Sequence, residues 1–169
     1  YNNQGKIEPL KIPAMTAVVI QSRPESRGSV HIRTAEANDT PEIHANYLSA
    51  DLDRQTIIRG VRLLLDIFSA EPLQDQLTGR LSPDADIDTT SDEELLEYIR
   101  EDASTVYHPT STCSIGKVVN EDLFVKGVSG LTIADASVMP YVVSGNTNAA
   151  TIMIGEKASD ILKNSPDTP

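Results

Sequence analysis

Residues 131–162 read LTIADASVMPYVVSGNTNAATIMIGEKASDIL, and the change of rhythm inside this stretch decides the fold. An apolar, β-prone strand is expected to end at Asp135, and a loop punctuated by Pro140 and Gly145 follows. NTNAAT then opens a helix over about Thr147 to Lys163, with Ile154, Ala158, Ile161 and Leu162 on one stripe and Pro166 as its stop. Such a helix start presents unpaired backbone N–H groups and the positive end of a dipole, which favours an anionic ligand atom. Simple N-capping explains Asn146 and Asn148 equally well.

Upstream, from Tyr107 onward, small polar residues, Gly and Pro dominate, with short β-rich runs at Val118-Val119, Leu123 to Val125 and Leu131 to Ala134. The segment YHPTSTCSIG, residues 107–116, places His108 beside Pro109, several hydroxyls and Gly116. Neither helix nor strand packing accounts for this composition, so His108 is a candidate functional residue on loop-like backbone. His31 and His44 lie in extended runs and read as ordinary surface or core-edge histidines. Cys113, five residues from His108, raises a rival Cys-His nucleophile, against the plain alternative of a buried structural cysteine.

The front half reads as scaffold. An extended lead-in runs to about Pro13, and Met15 to Gln21 is short, β-branched and apolar enough for a buried strand. Ser29 to Arg33 alternates, with Val30 and Ile32 expected inward, and SRPESRG between the two runs predicts their antiparallel pairing. After the turn EANDTPE comes a short extended run from Ile43 to Tyr47. Asp51 is expected to cap a helix ending near Ala70, since Ile57, Ile58, Val61, Leu65 and Phe68 form one apolar stripe. A polar loop from Ser82 to Thr90 leads into SDEELLEYIR, where Ser91 and Glu94 have capping-box spacing and the first-turn acids complement the helix dipole.

Composition sets outer limits. Against 14 Lys plus Arg stand 25 Asp plus Glu, a formal charge of −11, which would repel rather than neutralise phosphates and so excludes a nucleic-acid binder. No Trp and only 4% aromatics leave no base-stacking platform. At 39% hydrophobic and 23% charged, the chain is globular, not a disordered tail. The longest apolar runs fall far short of the roughly 18 to 20 residues that span a bilayer. One cysteine permits no intrachain disulfide, and neither a metal-ligand spacing, a GxGxxG nor a Walker loop is present. Opening at Tyr1, with no initiator Met and no signal pattern, the chain is expected to be a processed or cut piece of something longer.

Taken together, the segments resemble the C-terminal signature of the glucose-methanol-choline (GMC) oxidoreductases, FAD-dependent alcohol oxidases and dehydrogenases that include choline dehydrogenase-like members. SRGSVHI, NYLS, SDEELLEYIR, YHPTSTCSIG, VKGVSGLTIADASVMP and SGNTNAATIMIGEKASDIL occur in the family's order, covering about Pro24 to Leu162. Three positions depart from its pattern: Ser111 stands where Gly is usual, Ile115 where Met is usual and Asn120 where Asp is common.

The resemblance implies an α+β chain in two parts. Residues 1–105 would be a portion of the substrate-binding domain, an antiparallel sheet flanked by helices. Residues 106–169 would carry the catalytic loop and return to complete a Rossmann-like FAD-binding domain. The glycine-rich dinucleotide motif would then belong to a companion chain or segment carrying the N-terminal part. By position, His108 matches the family's catalytic histidine and Asn146 the second member of its pair. His108 would take the hydroxyl proton of a small-molecule alcohol while hydride passes to the flavin. Asn146 would hold the substrate oxygen and steady developing alkoxide charge. Asp135, Ala136, Asn146, Thr147 and Asn148 would contact FAD. A noncatalytic or degenerate flavin-binding module is the competing reading.

Overall fold

The computed structural model describes residues 11–164; most of the expected lead-in and Pro166 lie outside them. Within them are two short strands, β1 (Ser29–His31) and β2 (Glu42–His44), and three helices, α1 (Asp51–Ser69), α2 (Asp92–Asp102) and α3 (Asn148–Asn164). Short 3-10 turns occupy Gln74–Gln76 and Ala136–Val138. None of the described helices is long and apolar enough to cross a membrane.

The strand pairing differs from the expected one. β1 pairs antiparallel with β2, Val30 opposite Ile43, whereas Met15 to Gln21 forms no strand. That run is held to a helix instead. Val19 rests against Gly60 of α1 so closely that a Cβ there would lie 2.4 Å from its Cγ1. Nor do Val30 and Ile32 face inward: both are exposed, Ile32 to 89%, because no second layer covers this two-stranded sheet among the described residues. At its start Gly28 lies so near β2 that an added Cβ would stand 2.1 Å from the His44 carbonyl oxygen.

What holds the front segment is Asp53, 1% exposed in the first turns of α1. Its carboxylate accepts the Gln21 side-chain amide at 2.7 Å, the backbone N–H groups of Glu25 at 2.9 Å and Ser26 at 2.7 Å, and the Ser26 hydroxyl. The same hydroxyl accepts the N–H of Ala50, the N-cap residue of α1. Asp51 therefore does not cap the helix as expected; it pairs with Arg54 inside the first turn. Burial pushes the Asp53 carboxyl up, but the hydrogen bonds from Glu25, Ser26 and Gln21 outweigh it and hold the group below the ordinary carboxylate value.

A depressed folded-state value makes the sign of the pH dependence definite. The latch contributes its full stability above about pH 4, the unfolded-state value, and loses it as pH falls through the lower folded one. Asp53→Asn in the complete protein should therefore flatten the acid limb of a melting-temperature profile below about pH 4, besides lowering stability at neutral pH. An unchanged acid limb would remove Asp53 from that role.

Two apolar cores follow in chain order. Ile58, Leu95 and Ile99 join α1 to α2, and Ser91 caps α2 by accepting the Glu94 N–H at 3.3 Å. Glu94 completes no capping box, because its carboxylate takes the Asp88 N–H instead. The second core gathers Val119, Leu123, Val138, Met139, Ile154 and Ala158, packing α3 against the irregular chain before it. The short β-rich runs become isolated bridges, Val119 with Val125 and Phe124 with Thr132. The strand expected to end at Asp135 is absent; Asp135 instead caps a 3-10 turn by accepting the Ser137 N–H. Positive φ at Leu123, Gly127 and Gly130 keeps this region turning too often for long strands.

Candidate active site

The loop carrying His108 is seated by backbone hydrogen bonds. Cys113 and Ile115 donate to the carbonyls of Ser137 and Val138 at 2.9 Å each, and Ser111 donates to Ala136 at 3.5 Å. The 111–115 stretch thus lies alongside the 136–138 turn. Ser111 sits at φ +74°, left-handed backbone that Gly adopts freely, which explains physically why Gly is usual there. Asn120 keeps an acceptor where Asp is common: its Oδ1 takes the N–H groups of Asp122 and Phe124.

His108 is bracketed by two consecutive residues that immediately precede α3. Its Nε2 lies 3.3 Å from Asn146 Oδ1, and its Nδ1 lies 3.0 Å from the hydroxyl of Thr147. The ring is half-buried, Asn146 is exposed, and Thr147 is 8% exposed. Thr147 also accepts at its carbonyl from the backbone and hydroxyl of Thr151, which ties it into the first turn of α3. Gly145, at φ +138°, makes the tight bend that lets the chain turn into this position.

The arrangement has definite chemical capacity. An amide oxygen only accepts, so across 3.3 Å the Nε2–H donates to Asn146 Oδ1 and the Thr147 hydroxyl donates to Nδ1; because a hydroxyl can also accept, the neutral ring has a second tautomer, with Nδ1–H donated to Thr147, that leaves Nε2 bare. In that second tautomer, with the Asn146 carboxamide turned so that its N–H rather than its Oδ1 meets an incoming hydroxyl oxygen, Nε2 can receive the hydroxyl proton. The structure thus brings His108, Asn146 and Thr147 together. Asn148 is exposed in the first turn of α3, while Asp135 and Ala136 lie at the turn that seats the His108 loop.

Other candidates stay apart. Among the described residues no hydrogen bond joins the Cys113 thiol to His108, and no cluster of His, Cys, Asp or Glu could hold a metal ion. His44 pairs with Glu42 on the exposed sheet. The contact missed in the sequence is that of Thr147 with His108, since a Thr before a helix looks like an N-cap and nothing local reveals a partner 39 residues away.

The chain matches the GMC oxidoreductase family over residues 24–155. It is 37% identical over 155 residues to an oxygen-dependent choline dehydrogenase of Photobacterium profundum, covering 88% of this chain and 27% of that protein. It is 41% identical over 143 residues to an alcohol dehydrogenase [acceptor] of Pseudomonas putida, covering 82% of this chain and 26% of that protein. Among solved structures, an FAD-dependent oxidoreductase from Chaetomium thermophilum aligns with TM-score 0.75 and 29% identity, over 83% of this chain and 25% of that one. The chain therefore spans about a quarter of the length of the curated relatives it matches.

Proposed function

The chain belongs to the GMC oxidoreductase family, and from that premise we propose that it is the C-terminal portion of an FAD-dependent enzyme that oxidises an alcohol. The observation that carries this reading is the contact of His108 with both Asn146 and Thr147. Residues 1–105 then contribute to the substrate-binding domain, and residues 106–169 complete the FAD-binding domain together with a companion chain or segment. The relatives' length, about four times the stretch they share with this chain, supports the companion segment.

The residues present suit the cofactor. The first turn of α3 carries no acidic side chain, so nothing there opposes an electron-rich flavin edge. Asn146 and Asn148 offer amide donors, Thr147 its backbone N–H, and Asp135 and Ala136 the polar atoms of their turn. Bound FAD supplies the acceptor for the hydride that leaves the carbinol carbon.

The rest of the mechanism belongs to this chain. When a substrate hydroxyl replaces Asn146 Oδ1 as the neighbour of Nε2, Thr147 accepts the Nδ1–H of His108, the tautomer that leaves Nε2 free of its proton. Nε2 removes the substrate hydroxyl proton, and the Asn146 amide donates to the substrate oxygen as negative charge develops on it. Asn cannot exchange a proton near neutral pH, so of this pair only His108 acts as a base.

Anaerobic stopped-flow reduction of the holoenzyme by a good alcohol substrate tests this division of labour. Asn146→Ala should slow flavin reduction by about 10-fold to 10²-fold, the effect of losing one charge-stabilising hydrogen bond. Cys113→Ser should stay within a few fold of the parent, because no thiolate takes part. Abolition of reduction by Cys113→Ser would overturn the mechanism.

A further inference from the structure

Asp53 and Arg23 have no part in the proton transfer, yet Asp53 holds the segment from which Arg23 reaches the loop that carries Asn146. Asp53 is one of the largest fully buried side chains in the molecule, and every hydrogen bond it accepts comes from residues 21–26. These bonds fix the chain two residues before Arg23 and two and three residues after it. Pro24 removes one more freedom, since a residue preceding proline is biased towards extended backbone. From this rigid mount the Arg23 Nε donates to the Ser144 hydroxyl at 2.6 Å, across 121 residues of sequence. Ser144 immediately precedes Gly145 and Asn146. The Gly145 N–H donates to Val143 at 2.9 Å, a bond inside the loop that cannot fix where the loop lies.

We propose that Arg23, mounted on the buried Asp53 carboxylate, is a positioning residue that sets Asn146 against His108 by holding Ser144. The inference rests on the reading of Asn146 given above and goes beyond it by assigning what orients that amide. It explains a buried carboxylate that packing alone would not require, since a charge is taken out of water only where its bonds are all satisfied. It also explains why an exposed arginine is placed so exactingly. A glycine at 145 leaves the segment free to swing, and an anchor on the preceding residue removes that freedom.

The test is a cycle of variants in the holoenzyme, read by flavin reduction with a saturating alcohol and by amide hydrogen exchange of residues 143–147. Arg23→Ala and Ser144→Ala should each slow reduction by about 10-fold, as expected for one hydrogen bond acting on a transition-state contact. Ser144→Thr, which keeps the hydroxyl, should restore the rate to within a few fold. In an Asn146→Ala background, Arg23→Ala should change the rate less than twofold, because a residue that acts through Asn146 has nothing left to position. The 143–147 amides should exchange faster in Arg23→Ala and in Ser144→Ala. An equal loss from Arg23→Ala in both backgrounds, or unchanged exchange at 143–147, would overturn the proposal. Full activity of Asn146→Ala would instead overturn the role given to Asn146, and the exchange data would still decide whether Arg23 anchors the loop.

Discussion

In the holoenzyme proposed above, His108→Ala should lower the rate of alcohol-dependent flavin reduction by about 10²- to 10⁴-fold and leave the flavin bound, the range expected for loss of a general base. The size follows from geometry. Among the described residues Nε2 hydrogen-bonds the Asn146 carboxamide and Nδ1 the Thr147 hydroxyl, and neither partner is a base near neutral pH. Nothing in the second core depends on the imidazole, which is why flavin content should survive. Anaerobic stopped-flow absorbance measures the rate, and the flavin-to-protein ratio of the same sample checks occupancy. Reduction at the parent rate would remove His108 from the chemistry.

Expressed alone, residues 1–169 should give neither a cooperative melt nor stoichiometric flavin. The accessible surface is 12956 Å², against about 8,100 Å² for a folded monomer of this mass. The residues outside 11–164, even fully extended, would contribute no more than about 2,400 Å² of that difference. Val18, Ile20, Tyr141, Ile152 and Met153 are among the large apolar side chains left in water. At about 25 cal/mol per Å², a few hundred Å² of such surface is comparable with the net stability of a whole domain. Calorimetry decides the matter: a single sharp transition with bound flavin would show that these faces need no cover.

The helices were the most readable part of the sequence. α2 begins where Ser91 offers its hydroxyl to Glu94, and Ile58, on the expected stripe, is buried against Leu95 and Ile99, partners that its spacing did not name. Strand partners were not readable, because local pattern says that Met15 to Gln21 is β-prone but not what it will meet. An Asp in the third position of a helix looks like a complement to the dipole, and only the fold shows Asp53 gathering residues 21–26. His108 and Asn146 could be named through resemblance, whereas their approach to 3.3 Å depends on backbone bonds between two irregular segments. Ordinary periodicity is silent about such segments.

The tie between the 111–115 stretch and the 136–138 turn has a consequence for how this chain can change over generations. Because both ends of the excursion between them are clamped, its tip is decoupled from the reacting groups. Gly127, Val128, Ser129 and Gly130 are exposed there, and a Cβ on either glycine would meet nothing within 4 Å. Lengthening a loop whose ends are already fixed costs only a few tenths of a kcal/mol for several added residues. The tip can therefore acquire or shed residues, and with them new surface chemistry, while the imidazole and the carboxamide keep their spacing. Within this chain's own contacts, added residues are tolerated at 127–130 and are not tolerated between 144 and 147.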